Sequence, residues 1–205
     1  MLEGLDEINW SQLHHAYGEA NNVPQLIRKL LSKNEQERNE AISDLFQIVW
    51  HQGTVYEASS YAVPFLYELL KLPETPDKLS IAFLLANLAT GRNGFYKRLD
   101  DEKEKARLQR IYEEDGRILE EEVKKQQSFE DNVRNAIRKE FNLIYPYLFC
   151  KEPSVIDDIA KMFGEYPEFK DDTLPLLKKA LNIDSDEFAR KTIENSIKIL
   201  SGIQQ

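Results

Sequence analysis

Four prolines set the frame for this chain, because each stands in a similar short apolar word: Val23-Pro24-Gln25-Leu26-Ile27, Val63-Pro64-Phe65-Leu66, Tyr145-Pro146-Tyr147-Leu148 and Leu174-Pro175-Leu176-Leu177. Each is followed by a turn and a second amphipathic stretch. Pro64 comes 40 residues after Pro24, Pro146 a further 82, and Pro175 a further 29. The long interval is close to twice the first, as a disguised middle unit would leave it. Paired helices recurring every 30–47 residues or so are the period of solenoid repeats, in which one hairpin cannot hide both its apolar sides without a neighbour. A proline opening or bending the first helix of each pair suits a curved stack. The expected fold class is all-α: a right-handed α-α superhelix, a HEAT/ARM-like solenoid of antiparallel helix hairpins.

Helical periodicity runs through most of the chain. Asn34 with Glu37 has capping-box spacing, and Ala41, Ile42, Leu45, Phe46 and Val49 recur behind it at three- and four-residue steps. Trp50 and His51 are expected to close that helix before Gly53. Thr54 with Glu57 repeats the capping spacing ahead of Ala58, Tyr61, Ala62, Phe65, Leu66, Leu69 and Leu70. Thr75-Pro76, Ser154 with Asp157, and Ser185 before Phe188 mark later starts. Sustained two-residue alternation is missing, so no sheet is expected. Residues 97–125 break the rhythm, with 19 of 29 positions charged. Leu108, Ile111, Tyr112, Ile118, Leu119 and Val123 still trace a narrow stripe, so a solvated helix or helix pair is expected there, interrupted near Gly116.

The 205 residues make a single domain: an N-terminal cap over 1–22, two hairpins over 23–95, the charged helical segment over 96–127, and further hairpins over 128–205. The lone Cys150 excludes an internal disulfide, and the opening residues lack the basic start and apolar run of a secretory signal, so a cytoplasmic location is expected. Ile81–Ala89, broken by Asn87, is about half the length of a membrane span and reads as a buried helix. A net charge of −9 repels phosphate backbones and attracts basic partners, so neither nucleic acid nor membrane is an expected partner and a basic protein is.

The N-terminal third holds the most distinctive words: Trp10-Ser11-Gln12-Leu13-His14-His15-Ala16-Tyr17-Gly18-Glu19-Ala20, then Val23-Pro24, then Trp50-His51-Gln52-Gly53-Thr54-Val55-Tyr56-Glu57-Ala58, then Ala62-Val63-Pro64-Phe65-Leu66. Over residues 9–70 this resembles a group of bacterial HEAT-repeat proteins, related in repeat type to phycobilin-lyase-like repeats. A general repeat pattern reappears over 143–200, from Tyr145-Pro146 through Gly164-Glu165-Tyr166-Pro167. The resemblance implies a right-handed stack of antiparallel helix pairs, mostly without assigned activity. It also implies a link to toxins, since some such proteins stand beside secreted toxins as presumed immunity proteins.

All three histidines and both tryptophans lie in the first 51 residues. Trp10, His14, His15, Tyr17, Trp50, His51, Tyr56, Glu57 and Tyr61 are therefore the candidate partner-binding residues. Three readings stand side by side. One is an N-terminal cap, with Asn9 and Gln12 as a capping box, Trp10, Leu13 and Tyr17 covering the stack, and Gly18 and Gly53 ending helices. The second is a binding pocket made of the same aromatics and histidines. The third is a metal site in which His14 or His15 meets His51 and Glu57, although adjacent histidines on a helix diverge by about 100°. Enzymatic activity and a cofactor are not expected: neither Cys150 nor a serine has an activating partner pattern, Ala89-Thr90-Gly91-Arg92-Asn93-Gly94 reads as a helix stop and turn, and paired aspartates such as Asp157-Asp158 diverge on a helix.

Overall fold

The computed structural model describes residues 2–92, 99–183 and 186–202. Helix dominates them, in the order α1 (Val23–Lys29), α2 (Glu35–Ile48), α3 (Glu57–Lys71), α4 (Lys78–Thr90), α5 (Glu102–Glu114), α6 (Leu119–Arg138), α7 (Pro153–Glu165), α8 (Lys170–Leu181) and α9 (Glu187–Leu200). A 3₁₀ helix, Phe141–Phe149, precedes α7. The four prolines sit where the apolar words placed them: Pro24 in the first turn of α1, Pro64 inside α3, Pro146 inside the 3₁₀ helix and Pro175 inside α8.

Packing follows chain order along two rows. α2, α4, α7 and α9 touch in succession, while α1 lies on α3 and α3 on α6. α4 is the most enclosed helix, with Ile81, Ala82 and Leu84 through Ala89 all buried between its neighbours. Its Asn87 is kept satisfied by donating to the Phe83 carbonyl at 3.0 Å and to Asp158 of α7 at 2.8 Å. Where α7 meets α9 the chain uses Gly164. A Cβ there would lie 2.8 Å from Ser196 Oγ and 3.2 Å from Ser196 Cα, so only glycine lets the two helices come this close. Ser196 Oγ uses that approach to donate to the Ala160 carbonyl at 2.7 Å.

Some starts differ from the sequence expectation. Asn34 does cap α2, its side chain accepting from the Gln36 N–H, but Glu37 takes the Ser32 hydroxyl rather than closing a box. α3 begins one turn position later than expected, with Tyr56 as N-cap and Ser59 Oγ accepting the Tyr56 N–H in place of Thr54 and Glu57. α4 begins after Asp77 rather than at Pro76, and α7 begins at Pro153 rather than Ser154, proline taking the first helical position in the latter. Ser185 and Gly94 lie outside the described residues; α9 is capped by Asp186, which accepts from the Phe188 N–H. The charged segment forms a helix pair, α5 and the first half of α6. Gly116 at φ +69° turns the chain between them, and Asp101 caps α5 by accepting from two backbone N–H groups.

The expectation of no sheet is corrected at two places. His14–His15 pairs with Gly18–Glu19 (β1, β2), and Trp50–His51 pairs with Thr54–Val55 (β3, β4), both antiparallel. α2 therefore stops at Ile48, and Trp50 and His51 are strand residues. Gln52 and Gly53 sit at φ +50° and +87°, the handedness of the two-residue hairpin turn that fits the twist of paired strands. Gly18, at φ +128°, follows the other turn. The two glycines are thus hairpin residues rather than helix terminators.

Candidate functional site

The two hairpins stand side by side and carry most of the predicted residues. Backbone first fixes them: Ala16 N–H donates to the Ile48 carbonyl at 3.0 Å, tying the tip of the first hairpin to the end of α2. Ala20 N–H donates to the Leu13 carbonyl at 2.9 Å and closes its base. The second hairpin is held from below, where Val55 is fully buried against Gly91 at the end of α4 and its carbonyl accepts from Gln126 of α6 at 3.0 Å.

On this frame Tyr17, at the tip of the first hairpin, meets His51 of the second. Their rings lie edge to face with centroids 5.3 Å apart, and Tyr17 Oη is 3.3 Å from His51 Nδ1. Tyr17 nonetheless stays 64% exposed. Tyr56 lies close by, and its phenol is pushed above the ordinary range by burial first and by the neighbouring Tyr17 oxygen second. His14 turns to the first residue of α3: its N–H lies 3.3 Å and its Nδ1 3.5 Å from Glu57 Oε2. Tyr17, His51, Tyr56, His14 and Glu57 therefore form one aromatic and polar cluster.

The other four predicted residues go elsewhere. His15 points away from His14, with Nδ1 accepting from the Tyr17 N–H at 3.0 Å and Nε2 3.1 Å from Asn22 Oδ1. The divergence of the two histidines was expected, but its cause is strand alternation rather than helical rotation. Trp50 alternates with His51 in the same way and packs edge-on against Phe46 of α2 at 6.1 Å, which in turn touches Phe83 of α4 at 5.2 Å. Its Nε1 is buried without a hydrogen-bond partner among the described residues. Trp10 is buried beneath the first hairpin, donates from Nε1 to the Leu5 carbonyl at 2.8 Å, and meets Tyr61 edge-on at 6.5 Å.

These placements correct the metal reading. His14 pairs with Glu57, His51 with Tyr17 and His15 with Asn22, so the expected His-His-Glu ligand set is not assembled. Among the described residues, no group of three or more histidine, cysteine, aspartate or glutamate side chains is close enough to hold a metal ion. The cap expectation is half right. Trp10 and Leu13 are buried as a cap requires, but Tyr17 is not, and Trp10–Gln12 is a 3₁₀ turn whose Asn9 side chain accepts from Ser11 rather than capping.

Two features escaped the sequence. A groove of about 420 Å³ runs between α3 and α6, with Ile8, Tyr61 and Pro64 on one side and Asn132, Asn135 and Lys139 on the other. Its walls are 70 residues apart in sequence, so no local pattern announces it. The second is the Asn87–Asp158 pair between α4 and α7. Burial raises the Asp158 carboxyl above its usual value, the Asn87 bond partly offsets this, Asp157 beside it adds to the rise, and Lys161 opposes it. A carboxyl whose pKa is higher in the folded than in the unfolded chain takes up its proton more readily when folded. The folded state therefore loses stability as pH climbs through the raised pKa and regains it as pH falls. Asp158→Asn is expected to raise the melting temperature by about 1–3 °C at pH 7, with the gain vanishing toward pH 4. A melting curve that is lower for the variant at pH 7 would refute the assignment.

No helix among the described residues is long and apolar enough to cross a membrane. No protein-family model, curated protein or solved structure matches the chain.

Proposed function

We propose that this chain is a non-catalytic helical-repeat protein of the HEAT type whose role is to bind another protein, and that the hairpin cluster around Tyr17 is the focal contact. The successive packing of α2, α4, α7 and α9 supports reading the second helices as one side of a curved stack. The observation that carries the binding reading is Tyr17. It is a large ring held rigidly by the Ala16–Ile48 backbone bond and by His51, yet left 64% exposed. Tyrosine anchors of this kind are enriched among the residues that dominate interface energies, because they offer area at little cost in side-chain freedom.

The net charge of −9 favours a basic partner, drawn in from a distance and less strongly as salt rises. The sharper form of the proposal, motivated by the family resemblance, is an immunity protein that masks a basic toxin domain. Co-expression with the product of a neighbouring toxin gene tests that form: neutralisation supports it, and continued toxicity removes it.

The general reading is tested by affinity capture at low salt followed by titration of the captured partner. Tyr17→Ala is expected to weaken binding about 30-fold or more while leaving the melting temperature unchanged, since an exposed hot-spot ring acts on the interface and not on the core. Failure to capture any partner, or equal affinity for the variant, would overturn the assignment of the contact.

A further inference from the structure

The C-terminal helix presents an apolar stripe that nothing in the described chain covers. α9 buries Ala189, Ile193, Ser196 and Leu200 against α7 and α8. On its other side Phe188 is 66% and Ile199 62% exposed. They are eleven residues, or about three turns, apart, so both lie on one stripe roughly 16 Å long, with the partly buried Thr192 and Asn195 between them. The last helix of a repeat stack ordinarily shows a polar outer face, which this one does not.

A second stripe runs alongside it, one residue earlier at each step: Glu187, Lys191, Glu194 and Lys198. Glu194 lies 3.6 Å from Arg190 of its own helix, while Glu187, Lys191 and Lys198 make no ion pair among the described residues. Both stripes share the spacing four, three, four, which reads the same from either end. Laid antiparallel on a copy of itself, α9 therefore brings Phe188 opposite Ile199 of the copy and Thr192 opposite Asn195. In the same register Glu187 meets Lys198, and Lys191 meets Glu194. A twofold axis repeats each contact, so every apolar end is covered and four opposite-charge pairs form on one flank.

We propose that α9 is a homodimerisation helix, packing antiparallel about a twofold axis on the α9 of a second copy, with Phe188 and Ile199 as the apolar contacts and the Glu187–Lys198 pairs setting the register. Self-complementary charge selects this occupant. A parallel pairing would set Glu187 against Glu187 and Lys198 against Lys198, and like charges so placed repel. The contact is one helix wide, so a reversible dimer of roughly micromolar affinity is expected.

Sedimentation velocity or light scattering on the full chain, over about 1–200 µM, reads the result directly. The mass is expected to rise from 23.9 kDa toward twice that value and to stop there. Phe188→Asp is expected to hold the chain monomeric with an unchanged melting temperature, because the side chain is exposed in the monomer. Lys198→Glu sets two carboxylates together and is expected to weaken the dimer at least about tenfold, while Glu187→Lys combined with Lys198→Glu restores it to within about threefold. A chain that stays monomeric at every concentration would sink the proposal. So would a mass that keeps growing beyond two copies, as head-to-tail stacking would give, or a double reversal that does not restore what the single one removed.

Discussion

Tyr166→Ala is expected to cost about 3–5 kcal/mol of folding stability, among the largest effects available from one side chain in this fold. The residue is fully buried just beyond the end of α7 and joins three elements at once. Its ring lies 5.0 Å from that of Phe141 in the 3₁₀ helix, and the Arg134 guanidinium of α6 sits 4.0 Å over its face. Its hydroxyl donates to the Ala89 carbonyl at 3.1 Å. Ala89 belongs to the last turn of α4, where carbonyls lack a helical partner, so the phenol does for α4 what a C-terminal cap would do. Truncation removes the ring from a junction that cannot close up, and it strands both the carbonyl and the guanidinium. Tyr166→Phe keeps the ring and is expected to cost only about 1 kcal/mol. Equilibrium denaturation of both variants checks this. A loss for the alanine variant no larger than that for phenylalanine would mean that the junction relaxes, and that α4, α6 and α7 are not locked through this ring.

The junction at Tyr166 also shows what was legible in the sequence and what was not. The helices that meet there were readable, because α4 and α7 each carry apolar residues at three- and four-residue steps over a dozen positions or more. The bond from Tyr166 to Ala89 spans 77 residues and depends on how α4, α6 and α7 approach, which no local pattern encodes. The same holds for Gly164 against Ser196 and for Asn87 against Asp158.

The hairpins failed for a different reason. A strand of two residues is too short to show alternation, so the words around His14-His15 and Trp50-His51 were read as helix ends and their glycines as stops. One signal was present. Gln52-Gly53 stands between Trp50-His51 and Thr54-Val55, and a residue followed by glycine between bulky or β-branched neighbours is the composition of a tight hairpin turn. The mistake mattered for the site. With helical geometry His14 and His15 were weighed as metal ligands with His51. Strand geometry turns one toward Glu57 and the other toward Asn22, and places Tyr17 rather than a histidine pair against His51. That these residues gather near the same end of the molecule was nevertheless visible from their confinement to the first 61 positions.

Cap and contact, which the sequence set against each other, are one device in the folded chain, and Trp10→Ala separates their consequences. Trp10 is 5% exposed, its Nε1 holds the Leu5 carbonyl, and its ring meets Tyr61 of α3, so it pins the N-terminal segment to the first turns of that helix. The chain leaving it forms the hairpin whose tip is Tyr17. Removing the indole is expected to cost about 3–5 kcal/mol through lost burial and an unpaired carbonyl. It should also free the hairpin locally, so that hydrogen exchange at the Ala16 and Ala20 amides quickens far more than at the amides of α4. Partner affinity should then fall as steeply as for Tyr17→Ala, but by a different route: Tyr17→Ala removes the ring from an intact frame, whereas Trp10→Ala leaves the ring on a frame that no longer holds it. Exchange that quickens equally across the chain would show instead that Trp10 belongs to the global core. A Trp10→Ala chain with loosened Ala16 and Ala20 amides but full affinity would show that the contact does not need the hairpin held in place, and the role given to Tyr17 would go with it.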